Sequence, residues 1–253
     1  MAADEYLRAI LARERVDTSA SSPVLGVQRI IAPIVRDWAG SALCGMSPSG
    51  SFAKGTANNS GTDIDLFVSL SSSVTMTLKE IYESLFATLQ KNGYSPRRQN
   101  VSIGIRVGAY DVDMVPAKRQ DQHGADHSLY RRRLDTWTKT NVANHIAFVS
   151  RSGRAEEIRI LKLWRKQKGI DFPSFYLELS TITALDGRRV GNLAANVQAA
   201  LEYFRDRIAI ARVLDPANGN NVISGDLTVA GKAAVAAAAR AATTAESWGE
   251  VVR

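Results

Sequence analysis

Thiols and imidazoles are scarce in this sequence: 253 residues include one cysteine, Cys44, and three histidines. A single thiol excludes internal disulfides and thiolate-rich metal centres. No apolar run approaches the roughly 20 residues that a membrane-spanning helix needs. The opening stretch, MAADEYLRAILARER, places acids early and has no basic segment ahead of an apolar one, so no secretory leader is expected. The expectation is a cytoplasmic protein without a membrane partner. Positive charge is what the chain has in excess, 32 Lys and Arg against 25 Asp and Glu, for a net +7. That balance favours polyanionic partners such as nucleotides or nucleic acid. The cations do not form a tail, and Arg131 to Arg133 read as a solvated face.

The length allows one large domain or two modest ones. Residues 4 to 15 read as a short helix, and Ser22-Pro23 caps and opens a second one, in which Pro33 predicts a kink or a break. SALCGM and DIDLFVSL read as strands. Leu78, Ile81, Leu85, Phe86 and Leu89 then recur at helical spacing, with Gly93 as the stop. VSIGIRV and AYDVDMV read as two more strands joined by a tight turn and ended by Pro116. Residues 117 to 139 read as a polar, basic loop. Every strong pattern after 140 is helical, apart from the loop DPANGNNVISGD ahead of an alanine-rich helix from Val229 to about Ala245. The expected division is an α/β lobe over residues 1–116, with the N-terminal helices, and a helical lobe over 117–253.

The chemistry concentrates in GSFAKGTANNSGTDIDLFVSL, residues 50 to 70. In a strand, residues two apart share a face, about 7 Å apart. Asp63 and Asp65 therefore project together, with Ile64 and Leu66 turned to the core. The same parity pairs Asp111 with Asp113. If these strands are neighbours, three or four carboxylates share one patch, which must bind cations or raise its pKa values. With so few histidines and thiols, hard, oxygen-loving Mg²⁺ suits the patch better than Zn²⁺. The plain alternative is a set of acidic strand ends in ordinary turns. Two carboxylate-held ions serve one chemistry well: activating a hydroxyl nucleophile while gripping a triphosphate. Upstream, GSFAKGT offers unobstructed backbone N–H groups, two hydroxyls and a lysine. It becomes an anion site if Phe52 to Lys54 begins a short helix. It is not a Walker motif, since GxxxxGK[ST] is absent.

G-S-x-x-x-G-T followed by Asp-Ile-Asp on a strand, with a later carboxylate strand, resembles the nucleotidyltransferase superfamily related to DNA polymerase beta. VDMVPA is similar to the corresponding segment of archaeal CCA-adding enzymes, oligoadenylate synthetases and bacterial cGAS/DncV-like nucleotidyltransferases. ILKLWRKQKG, SFYLELS, VLDPANGNNV and SWGEVV resemble helix and loop segments of the same group, so the resemblance spans residues 21 to 252. It implies an α+β fold, with a mixed-sheet catalytic lobe and a helical lobe closing the active-site cleft. It also implies Asp113 as the third metal ligand, with Asp111 as the fallback, completing a two-Mg²⁺ site with Asp63 and Asp65. Mn²⁺ is the alternative ion. Asp113 would also help deprotonate the attacking hydroxyl. Gly50, Ser51, Lys54 and Thr56 would hold the triphosphate, and Lys162 and Ser174 would complete the grip.

The implied reaction transfers a nucleoside monophosphate from an NTP to a ribose hydroxyl and releases pyrophosphate. The subgroup favours a nucleotide acceptor and a cyclic or short linear oligonucleotide messenger, read by a separate effector protein in anti-phage signalling. The sequence ends without the long C-terminal RNA-binding region of archaeal CCA-adding enzymes, so tRNA is not the expected substrate. An RNA-directed terminal transferase remains the contrasting enzyme, and a catalytically dead nucleotide- or RNA-binding relative the contrasting non-enzyme. Trp164, Phe175 and Tyr176 are expected to pack in the core, with base stacking as the alternative for each. Lys166 and Lys168 are expected at the surface, His123 and His127 in a loop, and His145 at a core edge. Thr140 and Asn141 are expected to cap a helix.

Overall fold

A computed structural model describes residues 2–61 and 63–253. In chain order the elements are α1 (Ala3–Arg13), α2 (Pro23–Ala39), β1 (Leu43–Pro48), α3 (Gly50–Lys54), β2 (Asp63–Leu70) and α4 (Leu78–Lys91). Next come β3 (Arg97–Arg98), β4 (Ile103–Val107), β5 (Tyr110–Arg119), β6 (His127–Arg131) and β7 (Thr136–Thr140). The remainder is α5 (Val142–Arg151), α6 (Ala155–Gln167), α7 (Ser174–Ala184), α8 (Leu193–Arg207), β8 (Leu214–Asp215), β9 (Asn218–Val222), α9 (Val229–Thr243) and α10 (Trp248–Val251). They form two compact units, one of residues 17–54 and 61–146, the other of the chain up to Val16 with 55–60 and 147–253.

The first unit is built on a mixed sheet of order β1-β2-β5-β4-β3, with β6 and β7 continuing from the far end of β5. Among the described residues only β2 and β5 pair in parallel; the other pairings are antiparallel. Ile64, Leu66, Val68, Val112 and Met114 pack with Val27, Ile31 and Val35 of α2 and Ile81, Leu85 and Leu89 of α4. Each helix thus lays its apolar stripe on one sheet face. Thr77 and Glu80 form a reciprocal capping box that starts α4. Ser22 caps α2 by accepting from the Leu25 N–H at 3.4 Å.

The second unit is helical, with Trp164, Phe172, Tyr176 and Phe204 fully buried at its centre. Phe172 meets Tyr176 and Phe204 edge-on, at centroid distances of 5.1 and 5.4 Å. Trp164 and Tyr176 are therefore core residues, which removes Tyr176 as a base-stacking candidate.

The structure corrects several sequence expectations. Residues 117 to 139 are not a loop: β5 runs to Arg119, and β6 and β7 form a hairpin with Tyr130 opposite Trp137. Pro116 does not end β5, because β4 covers that strand only as far as Met114, so the missing proline N–H leaves no ladder bond unmade on that side. His127 is buried on β6, its ring 4.9 Å from Phe67 and its Nε2 2.8 Å from Ser69 Oγ. Helix α2 continues through Pro33 unbroken. Part of DPANGNNVISGD is a short hairpin, β8 with β9. The boundary drawn at 116 also moves. The β6–β7 hairpin keeps residues up to 146 in the sheet unit, whereas α1 buries Leu7, Ile10 and Leu11 in the helical core. The expected Asn141 cap is present, accepting from the Asn144 N–H at 3.0 Å.

Candidate active site

Parallel pairing sets the first feature of the site. Asp63 lies opposite Asp111 and Asp65 opposite Asp113 across β2 and β5. Residues directly opposite one another project to the same face, so four carboxylates share it, while Ile64, Leu66, Val112 and Met114 are buried on the other. The four are not equivalent. Asp111 is answered by Arg97 at 3.0 Å and Arg106 at 3.6 Å. Asp113 instead accepts a hydrogen bond from Gln99 Nε2 at 2.8 Å.

Sequence reasoning missed Gln99 and what fixes it. Ser102 Oγ donates to Gln99 Oε1 at 2.5 Å, which leaves the Gln99 amide nitrogen to face Asp113. Tyr82 OH bonds both the Gln99 and Ser102 carbonyls, at 3.0 and 2.9 Å, and holds that turn in place. Gly104, opposite Asp113 on β4, makes the room. A β-carbon there would stand 2.9 Å from Gln99 Nε2 and 3.2 Å from Asp113 Oδ1. The available signal was a glycine inside a strand, which marks a close approach.

The second feature is the turn at Gly50, where α3 opens. Gly50 has φ +54°, and a side chain there would run into the Asp65 carboxylate. The Ser49 N–H donates to the Asp65 carbonyl at 2.8 Å, so turn and strand are joined through the backbone as well. Gly50, Ser51 and Lys54 thus share one unit with Asp63, Asp65 and Asp113, and Lys54 is buried.

Thr56, Lys162 and Ser174 belong to the helical unit. Lys162 is buried, its Nζ donating to Glu178 Oε1 at 2.6 Å and to Thr56 Oγ1 at 2.9 Å. Thr56 in turn donates to Glu178 at 2.8 Å. Ser174 is exposed, and its hydroxyl accepts from Arg165 at 3.0 Å. Glu178 was visible in the sequence only as part of SFYLELS; its fourth-residue spacing on α7 gave no hint of a buried ion pair. Removing one partner of such a pair costs about 3–5 kcal/mol. Glu178→Ala is therefore expected to lower unfolding stability by an amount of that order in urea titration, and Glu178→Gln by less, because it keeps an acceptor.

Among the described residues, no three His, Cys, Asp or Glu side chains are drawn together as a ready ligand cluster. The donors on the shared face are nevertheless of one kind. Burial pushes the Asp113 carboxyl up, the Gln99 hydrogen bond opposes this, and the Asp63 charge pushes it up further. A hard divalent cation relieves both the repulsion and the burial cost, so these residues fit one.

No family model matches the chain. A curated cyclic AMP-AMP-AMP synthase from Escherichia coli (strain MS 115-1) is 27% identical over 218 residues, covering 70% of this chain and 68% of that protein. The chain is homologous to that synthase. Solved structures agree in fold. CdnC of E. coli MS115-1 with ATP superposes with a TM-score of 0.78 at 22% identity, over 96% of this chain and 90% of CdnC. CdnC has also been solved in complex with a HORMA protein. CdnG of Bradyrhizobium diazoefficiens in complex with GTP gives 0.77 at 11% identity, over 94% and 90% of the two chains. The α+β, polymerase beta-like architecture expected from the motifs is therefore the observed one. No described helix is long and apolar enough to cross a membrane.

Proposed function

We propose that this cGAS/DncV-like chain is a nucleotidyltransferase that joins nucleotides into a cyclic or short linear oligonucleotide. The observation that carries the reading is the register of β2 and β5, which sets Asp65 opposite Asp113 beside the Gly50 turn. The homology to a cyclic AMP-AMP-AMP synthase supports the choice of a nucleotide as acceptor.

In the proposed reaction, a ribose hydroxyl oxygen of the acceptor forms a bond to the α-phosphorus of an NTP. The bond from that phosphorus to the β-phosphate bridging oxygen breaks, and pyrophosphate leaves. Asp113 accepts the hydroxyl proton. Gln99 orients Asp113 for that task. The turn at Gly50, Ser51 and Lys54 meets the triphosphate with backbone N–H groups, a hydroxyl and an ammonium. Asp63, Asp65 and Asp113 would hold two divalent cations, Mg²⁺ or Mn²⁺. When bound, these supply positive charge to the triphosphate and acidify the attacking hydroxyl. Lys162, Ser174 and Thr56 are further proposed triphosphate contacts. For Lys162 and Thr56, that role requires phosphate oxygens to replace their present bonds to Glu178 and to each other. A separate effector protein would read the product in anti-phage signalling, and the HORMA complex of CdnC supports looking for a protein partner as well.

Incubation with radiolabelled NTPs and Mg²⁺ or Mn²⁺, with and without RNA, tests the reading. Small products formed without RNA are expected. Label appearing only on added RNA would instead identify a terminal transferase, and no incorporation under any condition would point to a non-catalytic relative.

A further inference from the structure

The chain leaves α3 at Lys54, enters the helical unit for Gly55–Ser60, and returns to the sheet unit at Gly61, just before β2. This six-residue strap is thus covalently continuous with the proposed phosphate turn on one side and the aspartate strand on the other. It is grasped at alternate residues by one face of α6. Arg159, Lys162 and Lys166 stand three and seven residues apart along one helix face. Lys162 donates to Thr56 Oγ1 at 2.9 Å, Arg159 Nε to Asn58 Oδ1 at 3.1 Å, and Lys166 to the Ser60 carbonyl. Asn58 Nδ2 answers by donating to the Arg159 carbonyl at 2.9 Å, and Asn58 is itself buried.

The end of α1 closes the arrangement. Arg159 Nη2 donates to the carbonyls of Leu11 and Glu14, at 3.0 and 2.8 Å. The Glu14 carbonyl accepts from the Asn59 N–H at 3.1 Å, and its carboxylate accepts from the Ser60 N–H at 2.8 Å. A planar guanidinium suits this junction because its fixed fork reaches three acceptors at once; a lysine offers no such fork. Thus α1, the strap and α6 meet at one side chain.

We infer that Arg159, with Asn58 and Glu14, is a clamp on residues 55–60, and that these three act as positioning residues for nucleotide transfer. The inference rests on the proposed function, since positioning has meaning only if the turn and β2 act on a nucleotide. The clamp limits how far both ends of the strap can wander. A misplacement of about 1 Å at reacting groups can cost on the order of 10²-fold in rate.

The test pairs hydrogen exchange with kinetics on the full chain. The amides of Asn59 and Ser60 report the clamp directly, because their acceptors belong to Glu14. In Arg159→Ala, exchange of the peptide spanning 55–61 is expected to rise about tenfold or more, while the 160–164 segment of α6 keeps its protection. NTP turnover is expected to fall about 10²-fold in kcat, with a smaller change in KM. Asn58→Ala provides the same reading if Arg159→Ala fails to fold. Asn58→Asp, which keeps the acceptor for Arg159, should recover part of the lost kcat. An unchanged exchange rate in both alanine variants overturns the clamp. So does a loosened strap with wild-type kcat. A wild-type protein that transfers no nucleotide overturns the functional reading itself, a failure distinct from the other two because it precedes any variant.

Discussion

Asp65→Asn is expected to abolish nucleotide transfer while leaving the fold in place. Asp65 stands on β2 directly opposite Asp113, with its carboxylate beneath the Gly50 turn, so it serves both halves of the proposed site. Asparagine keeps the size and one acceptor oxygen but removes the charge that would hold a divalent cation. Loss of a supporting partner outside a metal's ligand set costs about 10–100-fold, and a direct ligand should cost more than that. Turnover below about 1% of wild type is the expected result, measured as pyrophosphate release at saturating Mg²⁺. Asp65 lies on the carboxylate face rather than the apolar one, so the variant's melting temperature should change little. By contrast, Asp111→Asn is expected to be mild, because Asp111 is engaged by Arg97 and Arg106 at the surface.

Gly50→Ala is expected to be nearly as damaging for a different reason. Two costs combine there: an L-residue at positive φ, and a methyl group driven into the Asp65 carboxylate. The first is a general backbone cost of about 1–2 kcal/mol. The second is local and displaces a proposed ligand. Gly108, at the β4–β5 turn, separates them: its φ is +59° against +54° at Gly50, yet a methyl group there would meet nothing within 4 Å. Gly108→Ala should therefore lose about the same 1–2 kcal/mol of stability and keep its activity. Gly50→Ala should lose about 10²-fold or more in kcat, the scale of a misplacement near 1 Å. Equal activities in the two variants would show that the Gly50–Asp65 approach does not matter to transfer.

The aspartate pairs were legible because strand parity is a two-residue rule, and Asp63/Asp65 and Asp111/Asp113 obey it without outside help. Motif context tied the turn to the strand, since GSFAKGT leads into DID, but the order of the strands in the sheet was not legible. The β6–β7 hairpin was illegible as well. The strand-forming residues of TWTKT and the Leu-Tyr pair of β6 are set among charged residues with little apolar alternation, so by composition residues 117 to 139 read as a loop. The strap was hidden more deeply. ANNSG reads as a loop from composition, and no local signal shows that Asn58 is buried against a helix a hundred residues later. Lys162 illustrates the same limit: its spacing on α6 was visible, but its buried carboxylate partner on α7 depends on how two helices pack. Gln99 falls between the cases, because Gly104 hinted at a close approach without naming what approached.

Whether the carboxylate face of β2 and β5 builds a nucleotide product is the central question, and mass spectrometry answers it most directly. The small molecules formed from mixed NTPs and Mg²⁺ would be measured in parallel for wild type and Asp65→Asn. The predicted result is a wild-type product made without RNA and absent from the variant, either cyclic, with a mass equal to a whole number of nucleoside monophosphate residues, or linear, with the 5′-triphosphate of the first acceptor NTP retained. An identical product from both proteins, or NTP consumption by neither, would contradict the claim.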